Sequence, residues 1–331
     1  HVLSSFLVYM LVHMLFPRKS MAVLAAVLFA FGVGSYGRVF MTIHQLEPLL
    51  LALLHLLVLY SFIRNDFRGE GQIRSPLFVV GLILFLLTGL TRSTSFSLIG
   101  CLMAYKAFFY QKRKGRRILS PDILIFIAIG IAFYWGRSQW GYQAPTVFGG
   151  DLSEHSFTLT SIKNIFRYLN LMFFPMQQSP ILKDSPFLVI WAYEARTFIR
   201  IFLALSIISY SFFGFVFGSR AVRFFIAWTY ITLLPFAGES ISGNWLNLSH
   251  LYLTSLGFCV ILAAGASGTS GLLVRKRWRR YLPYALPLFF VMISLGLSYR
   301  LDLGHRAQAN SPEGQALRQK VLESCLGENA D

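Results

Sequence analysis

The sequence predicts an all-α, polytopic membrane protein of about ten spanning helices, with one further amphipathic helix on its outer surface. Three observations predict it. Apolar residues make up 55% of the chain and charged residues only 13%, about half the usual charged share. The apolar residues gather into long uninterrupted stretches. The basic residues gather on every second connection between them.

A spanning helix needs roughly 20 apolar residues, with a range of about 17–25. The apolar stretches lie near 2–16, 20–36, 46–63, 76–91, 95–111, 121–136, 199–218, 222–237, 249–270 and 281–299. Arg18 and Lys19 follow the first. Arg64, Arg68 and Arg74 follow the third. The fifth is followed by Lys112, Arg113, Lys114, Arg116 and Arg117, the seventh by Arg220 and Arg223, and the ninth by Arg275, Lys276, Arg277, Arg279 and Arg280. These loops hold 17 of the 30 basic residues. With ten alternating spans they all fall on one side, which the positive-inside rule makes cytoplasmic. The spans, residues 1–302, form one membrane domain. Residues 303–331 are a short polar tail on the outer side, where Ser311-Pro312-Glu313 starts a helix running to about Leu326.

The longest connection, 137–198, then lies outside. Within it Ile162, Ile165, Phe166, Leu169, Met172 and Phe173 recur at helical spacing. Lys163, Arg167 and Asn170 share the opposite face. The pattern predicts an amphipathic helix over 158–174, ended by Pro175 and lying on or dipping into the outer leaflet. Trp135, Trp140, Tyr142, Trp191 and Tyr193 surround it, as an interfacial aromatic belt does.

Several function classes are excluded or weakened. The net charge of +16 sits in short runs beside apolar segments, where anionic lipid is the partner, and no nucleic-acid module is present. The three cysteines make neither a disulfide framework nor a zinc site. Gly32-Val33-Gly34-Ser35-Tyr36-Gly37 spells a dinucleotide motif but ends an apolar span, so it reads as helix packing. Asn247-Leu248-Ser249 spells a glycosylation sequon set too close to the membrane to be used.

The candidate site residues are the polar ones on the outer side. Arg92, flanked by Thr91 and Ser93, sits at an outer helix junction. It reads either as a snorkelling arginine or as an anchor for a lipid phosphate, which a guanidinium fork suits. Lys163 and Arg167, four apart, read as a solvated face or a second phosphate contact. His250 and Tyr252, at the mouth of a span, read as interfacial anchors or as contacts to a head group or sugar. His44 and Glu47, on a short outer loop, could do acid–base work or hold a divalent cation, or belong to an ordinary loop. Asp151, Glu154 and His155 cluster in the outer loop without a firm metal pattern. His13 and His55 read as helix–helix hydrogen-bonding residues.

Four stretches resemble the GT-C superfamily of integral-membrane glycosyltransferases, which includes protein O-mannosyltransferase-like and transmembrane-TPR mannosyltransferase-like enzymes. They are His1 to Phe31, with its run Ala22-Val23-Leu24-Ala25-Ala26-Val27-Leu28-Phe29-Ala30; Leu90-Thr91-Arg92-Ser93-Thr94; Asn164-Ile165-Phe166-Arg167-Tyr168-Leu169 with Phe174-Pro175; and Ser249-His250-Leu251-Tyr252-Leu253-Thr254-Ser255-Leu256-Gly257. The departure is His250, where that superfamily commonly has arginine. The resemblance implies sugar transfer from a polyprenyl-phosphate donor to a protein or glycan acceptor on the outer face, in a bacterial inner membrane. Arg92 and Arg167 would stabilise the departing phosphate, helped by Lys163, His250 and Tyr252, while Glu47 and His44 would line the sugar or acceptor site. It also implies that a first helix and a catalytic acidic loop lie upstream of His1. No resident metal or cofactor is assigned. An O-antigen polymerase or ligase is the alternative within lipid-linked glycan chemistry. A transporter or flippase would show paired inverted repeats, which the sequence lacks; a structural membrane subunit is the remaining alternative.

Overall fold

A computed structural model describes residues 1–32, 46–67, 73, 75–91, 96–110, 120–139, 159–173, 196–237 and 251–273. It also describes residues 284, 285, 288, 291, 292, 295, 296, 299 and 315. Among the described residues there are helices and turns but no strand. The elements in chain order are α1 (Val2–Leu15), α2 (Lys19–Phe31), α3 (Leu46–Phe67), α4 (Pro76–Thr91), α5 (Ser97–Tyr110), α6 (Pro121–Gln139), α7 (Leu159–Phe173), α8 (Arg196–Phe217), α9 (Arg220–Leu233, continued by a 3-10 turn Leu234–Phe236) and α10 (Leu251–Leu273). The described positions from 284 to 299 are helical as well. The first nine predicted apolar stretches each fall on one helix, and the amphipathic segment is α7.

The helix ends have local causes. Phe16, ahead of Pro17, is extended (φ −119°, ψ 136°), because a residue before proline disfavours the helical region. Ser75 caps α4, accepting a hydrogen bond from the Phe78 N–H at 3.3 Å, and Pro76 supplies a pre-set first helical position. Ser219 caps α9 the same way, through the Val222 N–H at 3.4 Å. Pro235 turns the end of α9 into a 3-10 turn.

These early stops make most helices short. Among the described residues one helix, Leu46–Phe67, is long and apolar enough to cross a membrane, with mean hydropathy 2.1 over its most apolar 18 residues; α1, α2, α4 and α5 are apolar but run only 13–16 residues. At 1.5 Å per residue a 14-residue helix such as α1 spans only about 20 Å, against a hydrocarbon core of about 30 Å.

The helices alternate in direction, and contacts show which ends meet. At one end His1 bonds the Ala30 carbonyl and Tyr252, joining the start of α1, the end of α2 and the start of α10. At the other end Phe16 stacks on Phe225, Lys106 pairs with Asp66 and Asp122, and Arg223 donates to the Val216 carbonyl. These join the ends of α1, α3, α5 and α8 with the starts of α6 and α9. The ends of α1, α3, α5 and α8, each followed in the sequence by basic residues, thus lie at one end of the bundle.

The main core runs along α1 to α6, α9 and α10, with Trp228, Phe224, Tyr105, Phe126 and Tyr252 among its largest buried side chains. Gly257 is what lets α9 and α10 approach: a Cβ there would sit 2.8 Å from the Phe225 carbonyl oxygen and 2.3 Å from Thr229 Oγ1. The outward faces are apolar too. Val79, Val80, Ile83, Leu87 and Leu90 of α4 are exposed, as are Phe202, Leu205, Phe212, Phe213 and Phe217 of α8.

Candidate functional site

The end of the bundle away from the basic loops carries α7. Its sequence pattern places Ile162 on the apolar stripe, but Ile162 is 44% exposed. The face that packs is rotated toward Ser161, Asn164, Tyr168, Leu169 and Met172, all buried. Two forces set that rotation. Tyr168, Leu169 and Met172 pack with Ile207, Leu233, Phe236, Leu251 and Phe258 of α8, α9 and α10. Asn164 Nδ2 donates to the Ala237 carbonyl at 3.0 Å, supplying an acceptor's partner where α9 ends and its last carbonyls lack intrahelical donors. The packed side of α7 therefore lies on protein. Lys163 is left exposed and Arg167 half-buried, one turn apart on the helix.

Glu47 lies exposed in the first turn of α3, where the helix dipole favours a carboxylate. Tyr252 is wholly buried. Its hydroxyl is 2.8 Å from His1 Nδ1, while His1 Nε2 is 3.0 Å from the Ala30 carbonyl. Since a carbonyl can only accept, Nε2 carries the proton in the neutral ring, and Nδ1 accepts from the Tyr252 hydroxyl. Phe29 packs against both rings. Tyr252 thus faces inward as a tie between α1, α2 and α10, rather than outward to a head group.

Arg92, His44, His250 and the Asp151, Glu154 and His155 cluster lie outside the described residues. Among the described residues no group of three His, Cys, Asp or Glu side chains gathers that could hold a metal ion. His55 does not bond across helices as expected. Its Nδ1 bonds the Leu51 carbonyl of its own helix at 3.0 Å, and Nε2 is buried without a hydrogen-bond partner. His13 instead stacks on Tyr9.

Sequence reasoning missed a second polar site at the basic end, formed by Lys106, Asp66, Asp122 and Tyr105. A signal was present: Lys106 interrupts the apolar run Leu102-Met103-Ala104-Tyr105, and an ionisable residue inside such a run needs a partner.

The described residues define an all-helical bundle, with the ends of α1, α3, α5 and α8 gathered at one end and the amphipathic helix α7 docked at the other. No known protein family, curated protein or solved structure matches the chain.

Proposed function

We propose that this chain is a polytopic membrane glycosyltransferase of the GT-C kind, which moves a sugar from a polyprenyl-phosphate donor to a protein or glycan acceptor. The reaction faces the outer side of what is, by this reading, a bacterial inner membrane. The observation that carries the proposal is α7: an amphipathic helix seated on the bundle end remote from the basic loops, presenting Lys163 and Arg167 one turn apart. Two cations at that spacing suit a lipid phosphate, whose negative charge grows as the sugar departs. The membrane reading is supported by the exposed apolar faces of α4 and α8. Soluble monomers rarely leave such continuous apolar surface in water. It is also supported by the gathering of basic loops at one end.

In this mechanism Arg167 and Lys163, with Arg92, hold the phosphate oxygens and stabilise the leaving group. Glu47, exposed at the same end, is open to the sugar or the acceptor. Tyr252, being buried, serves by holding α10 to α1 and α2 and not by touching the lipid. The test is sugar release from a radiolabelled polyprenyl-phosphate sugar by the purified full-length protein, with any residues that precede His1, in detergent or vesicles. Release is expected, and Arg92→Ala and Arg167→Ala should each slow it by roughly 10²-fold, as loss of one oxyanion donor does. Undiminished release in both variants would overturn the phosphate assignment, and no release by the unaltered protein would overturn the function.

A further inference from the structure

Lys106 of α5 lies between Asp66, in the last turn of α3, and Asp122, in the first turn of α6. Its side chain is 3% exposed, and theirs are 11% and 12% exposed. The ammonium is 2.9 Å from Asp122 Oδ2 but 3.6 Å from Asp66 Oδ1. The first distance is a charge-assisted hydrogen bond; the second is too long for one. Asp66 Oδ2 accepts from the Tyr105 hydroxyl at 3.0 Å. Its Oδ1 is buried and has no hydrogen-bond partner. Described basic side chains on α3 and α9 turn elsewhere. Arg64 donates to the Tyr60 hydroxyl at 2.6 Å, and Arg223 donates to the Val216 carbonyl at 2.7 Å.

Two carboxylates therefore face one ammonium. With both ionised, the described groups of the junction would hold one uncompensated negative charge, on side chains that are mostly buried. Buried groups escape that cost by changing protonation state, and two carboxylates sharing a site do so most readily. Of the two, Asp122 has the close ammonium, and Asp66 meets the same ammonium only at 3.6 Å, through the oxygen that lacks a hydrogen bond.

We propose that Asp66 is held as a neutral carboxylic acid at neutral pH, so that the α3–α5–α6 junction is a proton-binding latch. The proton comes from water and sits on the Asp66 carboxyl group. Asp122 and Lys106 remain an ion pair, and the Tyr105 hydroxyl still donates to Asp66 Oδ2. The junction then carries no net charge. Loss of the proton sets two negative carboxylates across a single ammonium and loosens α3 from α6. The titratable groups facing Asp66 are Tyr105 and Lys106 from α5 and Asp122 from α6; from α4 the neighbour is Ser75, bonded to Asn65. A proton bound by the folded chain and released on unfolding makes stability fall as pH rises. That fall begins near the ordinary aspartate value, about pH 4, and ends where folded Asp66 gives up its proton. The inference stands independently of the glycosyl-transfer reading.

The test compares the protein with Asp66→Asn and Asp122→Asn by infrared spectroscopy and thermal unfolding in detergent, between about pH 5 and 9. A protonated-carboxyl stretch that shifts in heavy water is expected at neutral pH, and Asp66→Asn should abolish it. The same variant, an isostere of the neutral acid, should keep the parent Tm at neutral pH and flatten its decline with pH. Asp122→Asn should lower Tm clearly. No band sensitive to Asp66→Asn, or a Tm loss in Asp66→Asn as large as in Asp122→Asn, overturns the proposal. If Asp122→Asn does not fold, the band and the pH slope of the parent and Asp66→Asn decide it.

Discussion

Gly257 and Gly265 both lie in α10, yet the same substitution should act on them with opposite sign. A Cβ at Gly257 would stand 2.3 Å from Thr229 Oγ1, 2.8 Å from the Phe225 carbonyl oxygen and 3.0 Å from Trp228 Cδ1. The threonine hydroxyl already donates to that same carbonyl at 2.9 Å, so it has little freedom to turn aside. The carbonyl is backbone and moves only with α9. Reaching ordinary contact means separating α9 from α10 by about 1 Å or slightly more, along the seam where Trp228 Nε1 donates to the Leu253 carbonyl at 3.2 Å. Overpacking of this kind costs about 1–3 kcal/mol, and a backbone clash belongs at the upper end. Alanine regains about 1 kcal/mol over glycine in a helix. The net for Gly257→Ala is a loss of about 2 kcal/mol. Among the described residues a Cβ at Gly265 meets nothing within 4 Å, so Gly265→Ala keeps the gain of about 1 kcal/mol. At roughly 2–4 °C per kcal/mol, Gly257→Ala should lower Tm by several degrees while Gly265→Ala holds or raises it. Thermal unfolding of both variants in one detergent reads the difference. Equal Tm values for the two would refute the close α9–α10 approach.

Replacing Lys106 by Met should cost about 3–5 kcal/mol, because it strands a buried carboxylate; adding Asp122→Asn should recover much of that in thermal unfolding, and no recovery would count against the pairing. Tyr252→Phe removes the hydroxyl bonded to His1 but keeps the ring against Phe29. It should cost about 1 kcal/mol, less than Tyr252→Ala, which also opens a cavity; equal losses would show that the ring packing carries nothing.

Much of the fold was legible because its signals are local. The first nine apolar stretches each became one helix, and several ends follow from neighbouring residues, such as Pro17 after α1 and Ser75 before α4. The alternation of basic loops anticipated that the ends of α1, α3, α5 and α8 gather together. The candidate site was less legible. Lys163 and Arg167 do sit on the open side of α7. Tyr252, however, reads as an interfacial tyrosine and turns out to be buried. Whether a tyrosine at a helix end faces lipid or core depends on which helices lie beside it, and nothing within reach of its own turn reports that.

The sequence by itself determined that the chain is helical, where most helices begin and stop, and that its basic loops belong to one end. These follow from hydropathy, capping and proline, which act over a few residues. Only the tertiary structure decided which face of α7 is covered, because Asn164 finds its acceptor on α9. It alone brought Asp66, Lys106 and Asp122 together from three helices, and it alone set Gly257 against the α9 backbone. Those facts rest on contacts between distant parts of the chain, whose energy depends on which helices are neighbours and on how each is rotated about its axis.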